Sequence, residues 1–222
     1  MSGVELIYCH DSVVRIFFLF RMDLLRNNRT MLEHSAHPPV VKRDGSIWVG
    51  RMLAADLAAV QLISRSAQST VGRASAVIIS KLGNGWLYPI LGLIIFGYLG
   101  TAALRVALLG GVNAVLLHCL YPYIKRRIGR PRPFRADPRL RSLLSVLDEH
   151  SFPSGHVMTL SGVLVPIVLA WPAAVISAAA LLLVMAWSRI ATAHHYPSDI
   201  LGGAFLGIAL ASPFSVYFLD LW

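Results

Sequence analysis

Residues 157–188 read VMTLSGVLVPIVLAWPAAVISAAALLLVMAWS and contain no Asp, Glu, Lys or Arg. A helix crossing the hydrocarbon core of a bilayer needs roughly 20 apolar residues. This run is too long for one crossing, and Pro172 lies near its middle. It therefore reads as a helical hairpin that turns at Trp171 and Pro172. Each arm is short, a mismatch that local bilayer thinning meets. Working outward, residues 82–104, 106–124 and 200–219 are also free of charged side chains. That gives five candidate spans. Charge is absent all round each helical wheel, which excludes the one-sided pattern of a soluble helix. The composition agrees, at 56% hydrophobic and 14% charged. The expected fold is an all-α polytopic membrane bundle with five clear spans and an N-terminal interfacial helix.

That interfacial helix is read from residues 48–80. Arg51, Asp56, Arg65 and Arg73 interrupt the segment, while Leu53, Leu57 and Val60 recur at helical spacing. An amphipathic helix lying in the headgroup region fits this pattern; a poor sixth span is the rival. Residues 1–44 are basic, mixed and broken by Pro38 and Pro39. Their apolar patch, 13–20, is too short to span. The chain thus divides into a basic extension, 1–44, and a membrane-embedded domain, 45–222. The formal net charge is +9. In a membrane protein this points to headgroup anchoring or an anionic ligand rather than nucleic acid. Cys9 and Cys119 provide no disulfide framework.

The polar residues gather at span ends. Residues 123–134 read YIKRRIGRPRPF, residues 148–156 read DEHSFPSGH, and residues 188–200 read SRIATAHHYPSDI. Antiparallel threading brings these three segments to one face. The second span ends there, the third begins there, and the fourth returns to the face from which the fifth starts. Lys125, Arg132 and Arg189 supply three positive charges. Pro131 and Pro133 hold the intervening arginine segment extended. Ser154, Gly155 and His156 open a helix, whose N-terminus attracts anions through its free N–H groups. Gly155 lets an anion approach the backbone. This is a phosphate-binding layout. Arg126, Arg127 and Arg130 read more simply as anchors of a helix end.

His195 lies four residues before Asp199, so a helical turn puts both on one face; His194 points elsewhere. A carboxylate on one ring nitrogen fixes the tautomer and leaves the other as a nucleophile. His156 is the second histidine, placed to protonate a leaving oxygen.

These three segments, from Lys125 to Asp199, resemble the three-part signature of the type 2 phosphatidic acid phosphatase and vanadium haloperoxidase superfamily. The membrane-length spans resemble its lipid phosphatase branch. The resemblance implies a phosphohistidine on His195, acid–base work by His156 and orientation of His195 by Asp199. It implies that Lys125, Arg132, Ser154, Gly155 and Arg189 hold the phosphoryl oxygens. No metal or other cofactor is expected. The expected substrate is a lipid phosphate or a polyprenyl diphosphate, and phosphatidate or phosphatidylglycerophosphate is the alternative. The expected location is a bacterial inner membrane, with the site on the outer face. A metal site built from His150, His156, His194 and His195 is disfavoured, because three cations repel a divalent ion. A non-catalytic lipid-binding protein would need the cations but not the two histidines.

Overall fold

The computed structural model describes residues 47–145 and 148–220. The basic extension expected over 1–44 lies outside the described residues. The helices are α1 (Ile47–Ser64), α2 (Thr70–Leu82), α3 (Leu87–Leu99), α4 (Ala103–Ile128), α5 (Pro133–Ala136), α6 (Gly155–Ala170), α7 (Val175–Ala191) and α8 (Pro197–Asp220). Among the described residues there is no strand, only an isolated antiparallel bridge between Pro131 and His150.

Among the described residues, three segments are long and apolar enough to cross a membrane: Leu87–Ile128, Pro172–Ala191 and Pro197–Asp220. The shorter Gly155–Ala170 is equally apolar in character. The charge-free run 157–188 breaks where Trp171 and Pro172 stand, with a 3-10 turn at Pro172–Ala174. The run 82–104 is trimmed at both ends. Its first residues close α2 and form the turn before Leu87, and Gly100 at φ 57° stops α3. The segment Leu87–Ile128 is therefore not one rod. Tyr88, Leu91 and Ile95 line the same cavity as Val106, Gly110 and Ala114. A straight helix would set Tyr88 and Ala114 about 40 Å apart, so α3 and α4 form an antiparallel pair.

Helix α6 is the centre of the bundle. Eleven of its 16 residues are buried, and it packs chiefly against α8 and α4. Two glycines of α8 permit this approach. A Cβ at Gly207 would lie 2.3 Å from the Met158 carbonyl oxygen, and one at Gly203 would lie 2.8 Å from that of Ser154. Small residues are what allow helices to pack closely in lipid. Asn113 of α4 donates to the Gly162 carbonyl at 3.1 Å and to Ser215 Oγ at 3.0 Å, tying three helices together at mid-depth. The outward faces carry exposed Leu93, Leu108, Leu183, Leu201 and Phe205, as a bundle solvated by lipid requires.

Helices α1 and α2 reach the rest of the bundle near its polar end. Gln61 donates to Asp137 at 2.6 Å, and Trp187 Nε1 donates to Ser66 Oγ at 3.0 Å. Ser188 donates to the Ala76 carbonyl at 2.7 Å. Helix α1 has 18 residues and is not among the segments apolar enough to span.

Candidate active site

Three segments meet at one end of the bundle, as the threading argument requires. Helix α4 ends with Gly129 in the left-handed region at φ 66°, a common helix stop. Arg132 follows in extended conformation, and Pro133 opens the short α5. The Ser154 N–H bonds the Asp199 carbonyl at 3.1 Å, pinning the start of α6 to the first turn of α8.

His195 is buried. Its Nδ1–H donates to the Ser151 carbonyl at 2.8 Å, while Asp199 Oδ2 stands 3.7 Å away. The sequence reading placed the carboxylate directly on the ring; the structure puts a backbone carbonyl there. The reason is local. Tyr196 precedes Pro197, the first residue of α8, and the Asp199 carboxylate turns back to accept the Tyr196 N–H at 2.8 Å. This is one half of a capping box, so the carboxylate is partly spent on the helix start. The tautomer consequence is unchanged: Nδ1 holds the proton and Nε2 keeps its lone pair. Burial, reinforced by the charges of Arg189, Lys125 and Arg132, holds the His195 imidazole well below its usual range.

His194 turns away. Its Nδ1 donates to the Thr192 carbonyl at 2.8 Å, and its ring faces Phe134. Burial first, then Arg189 and Arg132, push it down to about 3. Ala193, in the left-handed region at φ 58°, redirects the chain between α7 and the two histidines.

The three cations are buried near His195. Lys125 donates to Asp148 at 3.0 and 3.1 Å, and Arg132 to the same carboxylate at 2.8 Å. Arg132 Nη1 also donates to the His194 carbonyl at 3.1 Å. Arg189 donates to Ser80 Oγ of α2. Arg189 Nε and Ser154 Oγ are both buried without a hydrogen-bond partner. Such orphans are costly in a native interior. Asp148 is held below the usual carboxylate range: burial alone would raise it, but Lys125 and Arg132 outweigh that.

His156 sits at the start of α6, with Nε2 2.8 Å from Asn84 Oδ1. The amide oxygen accepts, so Nε2 carries the proton in this contact. The charges of Arg189 and Lys125 reach both His156 and His195. Gly155 plays a packing part here: a Cβ there would lie 3.1 Å from the Tyr121 ring. Among the described residues, no three His, Cys, Asp or Glu side chains converge as a metal-ligand set.

The remaining arginines divide. Arg126 and Arg127 are exposed at the end of α4, Arg127 over the Tyr123 ring at 5.1 Å. Arg130 instead turns inward. It bonds Asp199 at 2.7 Å, Ser198 at 2.6 Å and Asp56 at 2.7 Å. The anchoring role read for Arg130 gives way, because two carboxylates hold it.

The family model described as the PAP2 superfamily matches residues 94–222. The chain belongs to the PAP2 superfamily. It is 32% identical over 136 residues to the decaprenylphosphoryl-5-phosphoribose phosphatase of Mycobacterium tuberculosis, covering 55% of this chain and 69% of that relative. Among solved structures it resembles a transmembrane PAP2 type phosphatidylglycerolphosphate phosphatase from Bacillus subtilis. That match has a TM-score of 0.54 and 26% identity, covering 77% of this chain and 87% of the other. Aquifex aeolicus LpxE shares the fold, with a TM-score of 0.54 and 23% identity over 72% of this chain and 94% of its own. The chain is an integral membrane PAP2 phosphatase.

Asp56, Ser80 and Asn84 all precede the PAP2 match, yet each touches a group of this site. Sequence reasoning missed them. Asp56 was visible as a charge interrupting an apolar segment, and Asn84 as part of a Gly-Asn-Gly turn; neither signal said what it would touch. The Ser151 carbonyl left no side-chain signal at all.

Proposed function

We propose that this PAP2 chain removes a terminal phosphate monoester from a lipid-anchored headgroup, through a phosphohistidine on His195. The observation that carries this reading is the neutral, buried His195 with Nε2 available beside three buried cations. His195 Nε2 attacks phosphorus, and the bond to the headgroup oxygen breaks. That oxygen takes a proton from His156. Water then attacks the phosphohistidine, giving its proton to His156, and orthophosphate leaves. Lys125, Arg132 and Arg189 stabilise the charge that builds on the five-coordinate phosphoryl group. Ser154 Oγ and Arg189 Nε supply hydrogen-bond capacity that the protein itself leaves unused. Lys125 and Arg132 share the Asp148 carboxylate, so a bound phosphate would compete with it for both cations. Asp199 acts at one remove, behind the Ser151 contact.

The cation count bears on the headgroup. A polyprenyl diphosphate, one of the two expected substrates, would draw on Arg126, Arg127 and Arg130 as well as Lys125, Arg132 and Arg189. Arg126 and Arg127 are exposed and Arg130 is held by two carboxylates, whereas Lys125 and Arg132 share the one carboxylate of Asp148, so with Arg189 at most three cations serve one phosphoryl group. This favours a monoester over a diphosphate. A polyprenyl-linked substrate is the first choice, because the Mycobacterium tuberculosis relative carries that class in its name. We place the five helices α3, α4, α6, α7 and α8 across a bacterial inner membrane, with α1 and α2 at the interface and the site on the outer face.

The test is phosphate release by purified protein from a panel in one detergent. The panel holds a polyprenyl-linked sugar phosphate, a polyprenyl diphosphate, a phosphatidate and a phosphatidylglycerophosphate. The highest kcat/KM is expected on the polyprenyl-linked monoester. A clear preference for the diphosphate overturns the headgroup assignment, and inactivity on all four overturns the lipid phosphatase reading.

A further inference from the structure

We propose that Asp56 and Arg130 are positioning residues of the phosphatase centre, Arg130 holding the Asp199 carboxylate and Asp56 holding Arg130. The proposal rests on the reading of His195 as the nucleophile. Its basis is a contiguous set of contacts. Arg130 Nη1 donates to Asp199 Oδ1 at 2.7 Å and to Ser198 Oγ at 2.6 Å. Its Nη2 donates to Asp56 Oδ2 at 2.7 Å, and its guanidinium lies over the Tyr196 ring at 3.9 Å. Asp56 also accepts the Ser198 N–H at 3.1 Å and the Ser198 hydroxyl.

Each contact has a physical consequence. The Asp56 carboxylate bonds an N–H in the first turn of α8, so α1 caps α8 from outside the chain segment that forms it. Arg130 is spent on both edges and on its face, so it is not a fourth phosphate ligand. Its pairing with Asp199 compensates a carboxylate that is completely buried. With Arg130 gone, Asp199 would be left uncompensated, 3.7 Å from His195 Nδ1. Its charge would then favour the protonated imidazole, which is no nucleophile. With Asp56 gone, Arg130 Nη2 loses its carboxylate partner and the guanidinium that faces Asp199 is held by one edge only. Asp56 therefore brings a helix outside the PAP2 match into the working site.

The experiment is a double-mutant cycle on the full chain in detergent, with dioctanoyl phosphatidate and a polyprenyl phosphate as substrates. Arg130→Gln is expected to lower kcat about 100-fold and Asp56→Asn about tenfold, each with KM within about threefold of wild type. The double variant should fall no further than Arg130→Gln, because the two act through one contact chain. Arg130→Lys should lose nearly as much as Arg130→Gln, since an ammonium lacks the planar two-edged fork. Asp56→Glu should recover most of the loss of Asp56→Asn. Melting temperatures establish that each assay is made on folded protein. Independent, multiplicative losses overturn the proposal, as does an unchanged kcat in folded Arg130→Gln. So does a raised KM with kcat retained, which would make Arg130 a phosphate ligand. An active wild type with any of these results leaves the function of His195 standing. A wild type inactive on these lipids and on the whole four-lipid panel removes that reading and this proposal with it.

Discussion

At the residue scale, adjacent histidines differ because their protons are claimed by different carbonyls. His195 Nδ1 is held by Ser151, from the segment before α6, whereas His194 is folded back on Thr192 of its own loop. His195→Ala is therefore expected to abolish phosphate release, by at least about 10³-fold, as loss of a nucleophile does. His194→Asn should keep most of the activity. Phosphate release assays on both variants check this, with stability measured alongside. The environment of His195 also fixes a pH limit. Its conjugate acid is held well below the ordinary imidazole value of about 6.5, so the ring proposed as nucleophile stays neutral as pH falls through that value. The acid limb of kcat/KM is expected clearly below pH 6.5, and a pH–rate profile will locate it. The buried His194 acts on stability in the same direction. Its folded value near 3 lies below the unfolded one, so its contribution is full above about pH 6.5 and is lost as pH falls from there toward 3. Melting temperature measured against pH should fall over that window, and fall less in His194→Asn.

At the scale of elements, the site depends on how closely α6 and α8 approach. Gly207 faces the Met158 carbonyl, which as helix backbone cannot swing aside. Gly207→Ala should cost about 1–3 kcal/mol of stability, as overpacking of a close interface does. At Gly111 a methyl group would meet nothing within 4 Å, so Gly111→Ala should escape that loss. Thermal unfolding in detergent compares the two. Helix α1 shows the same dependence on its packing partners. Its own sequence pattern is weak, and what fixes it is a set of partners on the 130–137 segment, α7 and α8.

At the scale of the whole molecule, a nearly uncharged bundle concentrates its charge at one end. The proposed mechanism uses only side-chain cations and imidazoles there. EDTA is expected to leave phosphate release intact, and vanadate, which mimics the five-coordinate phosphoryl state, is expected to inhibit competitively. Inhibition kinetics and an EDTA-treated assay check both.

What the sequence determined by itself was the apolar run structure and the three polar segments at its ends. Both are one-dimensional signals: charge-free length sets which helices lipid can solvate, and alternation of direction sets which ends meet. The break at Pro172 and the gathering of Lys125, Arg132, His156, Arg189 and His195 followed from that. Tertiary structure alone decided which partner each polar group takes. Asp199 is four residues from His195 by count, yet its carboxylate caps α8 and bonds Arg130, and Ser151 holds the ring. Asp56 and Asn84 are far from the signature in sequence, and α1 and the α2–α3 turn deliver them to it. Spacing along a helix says which side chains share a face. It does not say which of several acceptors a buried donor meets, because that choice depends on chain segments brought in from elsewhere and on how many buried groups must be satisfied at once.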